Sequence, residues 1–263
     1  MIGRIWHTYC FEVEKAARRK FTYLGLILVV LAVASALLVR PVARDGESDY
    51  AFIAYATPIA LNLLGLLLLV TYCSGLVSTE LGSGSICLVL VRPVRRHEFL
   101  IAKMLLGVTY AATLTVAVTA ATWGIALAFG DLTGVVYGGE TVFTGADVFV
   151  AYLLGALLVM IPQAAVVAYA VMISTLVRST GAAIGGAVGL LLAVDIIKYP
   201  LRISPFIFST YLETPWRVFT SYCDGLDASW FPDTAYLLLT SIASIVVFMA
   251  VAIFSLSRRD LRT

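Results

Sequence analysis

Few residues of this 263-residue chain have the type and spacing to do chemistry, and most of them share one stretch, 78–103, STELGSGSICLVLVRPVRRHEFLIAK. It carries the bases Arg92, Arg95, Arg96 and Lys103 and the acids Glu80 and Glu98. Ser83 and Ser85 have the look of a nucleophile in a Gly-Ser-Gly-Ser run, but no base accompanies them, and a bend is the simpler reading. An intramembrane hydrolase needs a metal site or a serine with its partner inside the bilayer. Both histidines, His7 and His97, fall in polar flanks, where an imidazole is ordinarily a solvated surface group. No GxxxxGK[ST] occurs, so the chain lacks the phosphate cradle of a P-loop ATPase. What remains is electrostatic docking chemistry. A Gly/Ser bend leads into the apolar run Ile86–Val91, Pro93 breaks the chain, and an amphipathic segment follows, with Glu98 and Lys103 beside Phe99, Leu100 and Met104. A soluble partner can grip that shape.

Asp195 is the second candidate, the one acid inside an apolar block. Such residues are functional candidates by default, because a carboxylate at mid-bilayer costs roughly 2.5–3.5 kcal/mol on insertion scales. Lys198 lies three residues on, on the same helix face. A structural ion pair near the end of the span is therefore favoured over a substrate contact.

These groups must be positioned by membrane helices. The chain is 61% hydrophobic and only 13% charged, against about 25% charged for a soluble domain. Six apolar blocks, near 21–39, 52–77, 104–129, 148–177, 180–200 and 234–256, reach or exceed the ~20 residues a span requires. Pro58 and Pro162 are the expected kinks, since each removes a backbone donor. Residues 2–20 read as an amphipathic helix: Ile2, Ile5, Trp6, Tyr9, Val13, Ala16 and Ala17 on one side, Arg4, Glu12, Lys15, Arg18 and Arg19 on much of the rest. A basic, Trp-bearing helix of this kind lies in the headgroup layer. Among four cysteines (Cys10, Cys73, Cys87, Cys223) an internal disulfide is not expected, since only Cys223 falls outside, and their spacing fits no metal motif.

Lys and Arg collect in segments that stay in the cytoplasm. With both termini inside, the inner segments carry 13 of the 18 basic residues, while the outer loop 130–147 carries Asp131, Glu140 and Asp147 and no base. The fourth and fifth blocks are joined by the short turn Arg178-Ser179-Thr180. Gly181, Gly185 and Gly189 open the fifth as a doubled GxxxG, which favours close helix packing, more within the subunit than between subunits. The outer segment 201–233 is dense in aromatics (Phe206, Phe208, Tyr211, Trp216, Phe219, Tyr222, Trp230, Phe231) and broken by Pro205, Pro215 and Pro232. Short helices that dip into the outer leaflet or cap the bundle are expected.

The pattern resembles the permease subunits of type-2 ABC transporters, the ABC-2 membrane family. The likeness is most specific at Glu80, Gly84-Ser85, Ile86–Val91, Arg92-Pro93-Val94, Arg95-Arg96, Phe99 and Lys103. The basic N-terminal helix (Lys15, Arg18–Lys20) and the end Ser257-Arg258-Arg259-Asp260 also look like it. The resemblance implies one transmembrane domain over 1–263: an all-α integral membrane protein with six transmembrane helices, an interfacial helix at 2–20 (Trp6, Lys15, Arg18, Arg19), a cytoplasmic coupling helix in 78–103, and an outer re-entrant segment at 201–233. It implies a half-transporter paired with a second permease copy or homologue in the cell membrane. Glu80, Gly84, Arg92, Pro93, Arg95, Arg96 and Lys103 would dock a separate ATP-binding subunit. ATP and Mg belong to that subunit; no cofactor, metal or nucleic acid is expected on this chain, and no catalysis. A secondary transporter, or a membrane anchor without an ATPase, is the alternative. The nearly uncharged spans suit an apolar or amphiphilic cargo, and export is the family expectation only.

Overall fold

A computed structural model describes residues 2–42, 48, 50–84, 95–137, 140–226 and 228–258. Six helices in it are long and apolar enough to cross a membrane, and the protein is a multi-pass, all-α membrane protein. Helix α1 is Ile2–Ala17, and α2 is Lys20–Val39. Helix α3 runs Ala51–Gly82, α4 Arg96–Phe129, α5 Gly145–Leu176, α6 Thr180–Ile197 and α8 Asp233–Arg258, with the short α7, Thr214–Cys223, before the last. Among the described residues one antiparallel hairpin, β1 (Gly134–Tyr137) and β2 (Glu140–Thr144), is the only sheet.

Three helices are far longer than a bilayer demands. At 1.5 Å per residue, α4 with its 34 residues spans about 50 Å, against roughly 30 Å of hydrocarbon. Its surplus lies at the basic end. The segment Glu98–Met104, which the pattern sets apart from a third span beginning near 104, is instead the opening of α4 itself, continuous with it from Arg96. Glu98 stabilises that start: its Oε2 accepts from the backbone N–H of Arg95 at 2.9 Å, one of the orphan donors every helix N-terminus carries. Thr144 does the same for α5, exchanging bonds with Asp147 in a capping box.

The two prolines behave differently. Pro58 opens a π-helical stretch, Ile59–Gly65, inside α3, which absorbs the missing donor by widening the turn. Pro162 sits within an uninterrupted α5. At the far end of α3, Gly84 has φ +69°, the left-handed conformation that commonly stops a helix. Gly82 is needed for a close approach: a Cβ there would lie 2.9 Å from the Arg178 carbonyl oxygen in the turn between α5 and α6.

Helix α5 is the hub, packed against α3, α4, α6, α7 and α8. Its fully buried apolar run Ala165–Val171, interrupted only by Tyr169 at 5% exposure, explains why it is the most enclosed of the six. Polar side chains tie it to neighbours where water is absent. Ser174 Oγ meets the backbone N–H groups of Val77 and Ser78 at 3.0 and 2.8 Å, Thr115 donates to Gln163 at 2.9 Å, and Tyr169 donates to the Ala187 carbonyl at 2.8 Å. Such bonds fix register between apolar helices, which have no hydrophobic drive toward one another in lipid.

The doubled GxxxG departs from expectation. A Cβ added to Gly181, Gly185 or Gly189 would meet nothing within 4 Å, so that stripe faces away from the subunit's own helices. The buried positions of α6 are Ala183, Ala187 and Leu191. Packing of α6 against α3 and α5 uses these residues, and the glycines lie on another face.

The aromatic segment after α6 divides. Two 3₁₀ turns, Ser204–Phe206 and Phe208–Leu212, precede α7. Phe208, Tyr211, Trp216 and Phe219 are buried, while Phe206 and Phe231 are 79% and 71% exposed. Trp216 and Phe219 pack at a tilt against Tyr152 of α5 at 5.9 and 5.1 Å between ring centres. This part caps the bundle by filling it with aromatic area. Cys223 closes α7 as a buried free thiol, and burial together with the neighbouring Asp224 pushes its pKa up. Cys10 and Cys73 are free as well, and Cys87 lies outside the described residues.

Candidate functional site

Four charged groups of the 78–103 stretch, Glu80, Arg96, Glu98 and Lys103, converge on the gap between α1, the end of α3, the start of α4 and the end of α8. Lys103 lies at its centre and is 1% exposed. Its Nζ donates to Glu12 Oε2 of α1 and to Glu80 Oε1 of α3, each at 2.7 Å. Lys15, one turn along α1 from Glu12, reaches the same Glu80 oxygen. Two acids and two bases thus close a neutral four-membered network, with Glu12 and Glu80 each 3% exposed. The Phe99 ring, one turn before Lys103, stands 5.2 Å from its ammonium. Burying single ions here would be prohibitive. Mutual pairing makes it tolerable, provided every partner stays in place.

Around this core lie two further links. Glu98, wholly buried, takes Arg4 of α1 at 3.4 Å as well as the Arg95 backbone. Arg96 donates to the carbonyl oxygens of Leu256 and Ser257 at 2.7 and 3.1 Å. Those carbonyls belong to the last turn of α8, whose C-terminal oxygens have no intrahelical donor and which favours a cation by its dipole. Tyr9 and Thr109 share a hydrogen bond of 2.7 Å that fastens α1 to α4 one helical turn and a half beyond Lys103. Four elements distant in sequence are therefore clasped at one end of the bundle.

The candidate docking residues separate accordingly. Glu80 and Lys103 face into the protein and spend their charge on the clasp. Arg96 is turned to α8, and Gly84 serves as the stop of α3. Arg95 is exposed and follows 85–94 in sequence. Arg92 and Pro93, with Ser85, Ile86–Val91 and Val94, lie outside the described residues, as do Arg259 and Asp260. Of the interfacial-helix candidates, Trp6 is 62% exposed and Arg18 pairs with Glu14 on the outer side of α1. Arg19, half-buried, lies at the junction with α2. The α1 face that packs on α4 is the one carrying Glu12, a residue the amphipathic pattern places on the polar side.

Glu12 and the Arg4–Glu98 pair are the members that pattern reading missed. Periodicity counts a glutamate as polar and so assigns it to solvent. The available signal was balance: at this end of the bundle Lys103 is too near an apolar span to stay unpaired, and Glu80 alone cannot satisfy both it and Lys15.

At the other end, Asp195 and Lys198 form a close ion pair, and Ser209 donates to the same Asp195 oxygen at 2.9 Å. Lys198 is 3% exposed whereas the Asp195 side chain is 48% exposed. The pair thus anchors the 3₁₀ turn that carries Ser209 to the end of α6.

No curated protein matches the chain. A model of a family described as a protein of unknown function, DUF2705, matches residues 23–262, from the start of α2 to the C-terminus. That match covers all six spans and both sides of the clasp except α1, and on it the chain belongs to the DUF2705 family.

Proposed function

We propose that this protein is the membrane-spanning subunit of an ATP-driven transporter of the ABC-2 permease kind, moving an apolar or amphiphilic cargo with energy from a separate ATP-binding subunit. The observation that carries the reading is the clasp. An interfacial helix, the ends of α3 and α4 that flank 85–94 in sequence, and the end of α8 are fastened to one another by buried charge. Force applied to that stretch passes through rigid links into three spans and α1 together. A two-state tilt of the bundle is the kind of switch that couples remote sites. The positive-inside bias supports placement of this end, and both termini, in the cytoplasm of a cell membrane. Pairing with a second copy or homologue belongs to the same reading.

In this scheme Arg95, exposed and not part of the buried network, contacts the ATP-binding subunit together with Arg92 and Pro93. Glu80, Arg96 and Lys103 transmit the movement. The test is co-purification from native membranes in mild detergent. The wild type should bring down an ATP-binding subunit in equal amount, Arg95→Glu should lose it while remaining folded, and Lys103→Gln should retain it but lose transport-coupled ATP turnover. An intact wild-type preparation with no such subunit sinks the proposal and moves weight to a secondary transporter.

A further inference from the structure

A second feature lies at the end of the bundle opposite the clasp. A cavity of about 980 Å³ opens between α3, α6, the 3₁₀ turns and α7. Its size is at the upper end of small-molecule sites. One wall is the π-helical stretch of α3 and the turns after it, with Leu63, Leu66 and Val70 facing Val188 and Leu192 of α6. Widened turns of this kind concentrate at functional sites.

Three polar groups line the cavity without partners. Asn62 has neither a donor nor an acceptor for its buried amide, and Thr210 Oγ1 and Trp216 Nε1 are buried and unpaired. Trp216 is 2% exposed overall. Its Cζ3 edge packs on α5, where a Cβ added to Gly155 would lie 3.6 Å away, so the opposite Nε1 edge turns from α5 toward the cavity side. Unpaired buried polar groups cost roughly 1–3 kcal/mol each, and three around one space mark where a ligand's hydrogen bonds belong. Among the described residues the charges on the wall are Asp195, Glu213, Arg217 and Asp233. Arg217 is paired with Asp233 at 2.8 Å, and Asp195 with Lys198. Glu213 has no ion-pair partner among the described residues.

We infer that this cavity binds a single-chain cationic amphiphile: an ammonium on Glu213, an adjacent hydroxyl or carbonyl satisfied by Trp216 Nε1, Thr210 and Asn62, and a hydrocarbon tail along Leu63, Leu66, Val70 and Leu192. An anionic head is disfavoured, since Arg217, the one base on the wall among the described residues, is already neutralised. A neutral head leaves Glu213 unused. The inference concerns binding alone and stands apart from the transport reading. Failure to co-purify an ATPase overturns that reading and not this one, and absence of binding does the reverse.

The test uses the full chain in lipid nanodiscs and three probes of equal tail: 2-aminododecan-1-ol, dodecane-1,2-diol and dodecanoate. Binding is read by Trp216 fluorescence in a Trp6→Phe, Trp123→Phe, Trp230→Phe background, with empty nanodiscs subtracted. The amino alcohol should bind saturably. Glu213→Gln should weaken it about tenfold, the loss expected for one charge-assisted hydrogen bond, with no effect of Glu14→Gln on α1. Because Glu213 is exposed, its substitution leaves packing intact, and an unchanged thermal midpoint verifies this. A readout that uses no tryptophan, equilibrium dialysis of the same probes, guards against a background that fails to fold. Equal binding of all three probes, or binding of the amino alcohol unaltered by Glu213→Gln, overturns the inference in favour of a mere apolar surface. No saturable binding overturns it outright.

Discussion

Lys103→Met is the sharpest perturbation available. It removes the one cation that touches both Glu12 and Glu80, each at 2.7 Å, in a site where all three residues are at most 3% exposed. Lys15 still holds Glu80, so the residual damage falls on Glu12, a carboxylate left buried without a counter-ion. Breaking one partner out of a buried ion pair costs about 3–5 kcal/mol. In a domain of this length about 1 kcal/mol moves the thermal midpoint by roughly 2–4 °C, so a fall of about 10 °C is expected. The reporter is a buried thiol: in a Cys10→Ser, Cys87→Ser background, Cys73 of α3 is fully buried, and a thiol-reactive fluorophore reaches it only on unfolding. Hydrogen exchange should rise across α1, which loses its central link to α4. The decisive comparison is Lys103→Met with Glu12→Gln and Glu80→Leu added together. Replacing buried charges together by neutral groups is often close to neutral, and Lys15, the fourth member, is 36% exposed and stays solvated, so the triple variant should recover most of the lost midpoint. A single variant within 2 °C of wild type, or a triple variant as unstable as the single one, refutes the claim that uncompensated charge is what the clasp prevents.

The glycines offer a contrast within one protein. A Cβ at Gly107 would lie 2.5 Å from Val167 Cγ1 and 2.9 Å from Cys73 Sγ, so Gly107→Val should lower stability by about 1–3 kcal/mol through overpacking, whereas Gly185→Ala should leave the midpoint of the isolated chain unchanged or raised. A large loss at Gly185 in the isolated chain would contradict the open face seen on α6. At the opposite end, Asp195→Asn strands the buried Lys198 ammonium. Because the Asp195 side chain is half exposed the cost is discounted to about 1–2 kcal/mol, visible as earlier hydrogen exchange in the 3₁₀ turn around Ser209, and Asp195→Glu should largely restore it.

Much of the architecture was legible without coordinates, because a bilayer imposes its demands one segment at a time. A span must be apolar over its own length, so six blocks could be counted, and their ends fell within a few residues of the helices except where helix continues past the hydrocarbon, as α3 does to Gly82 and α4 does from Arg96. The Asp195–Lys198 pairing was legible for the same reason, being local to one helix face. The hairpin at 134–144 escaped notice although Val135–Tyr137 and Thr141–Phe143 flank a Gly-Gly pair of the sort that turns hairpins.

What the tertiary structure alone decided is the partnership of charges and the facing of small residues. Lys103 and Glu12 are separated by 91 positions, and no periodicity within α1 reveals that a glutamate on its polar side meets a lysine from α4. Gly181, Gly185 and Gly189 carry an interface pattern, yet which face of α6 meets α3 and α5 depends on the rotation of three helices about one another. The same holds for the cavity beside Trp216: its residues are ordinary singly, and become a site only where α3, α6 and α7 leave space between them. Spans are determined by the solvent each segment must satisfy by itself, whereas sites are made by which segments meet, and that is set by packing of the whole bundle.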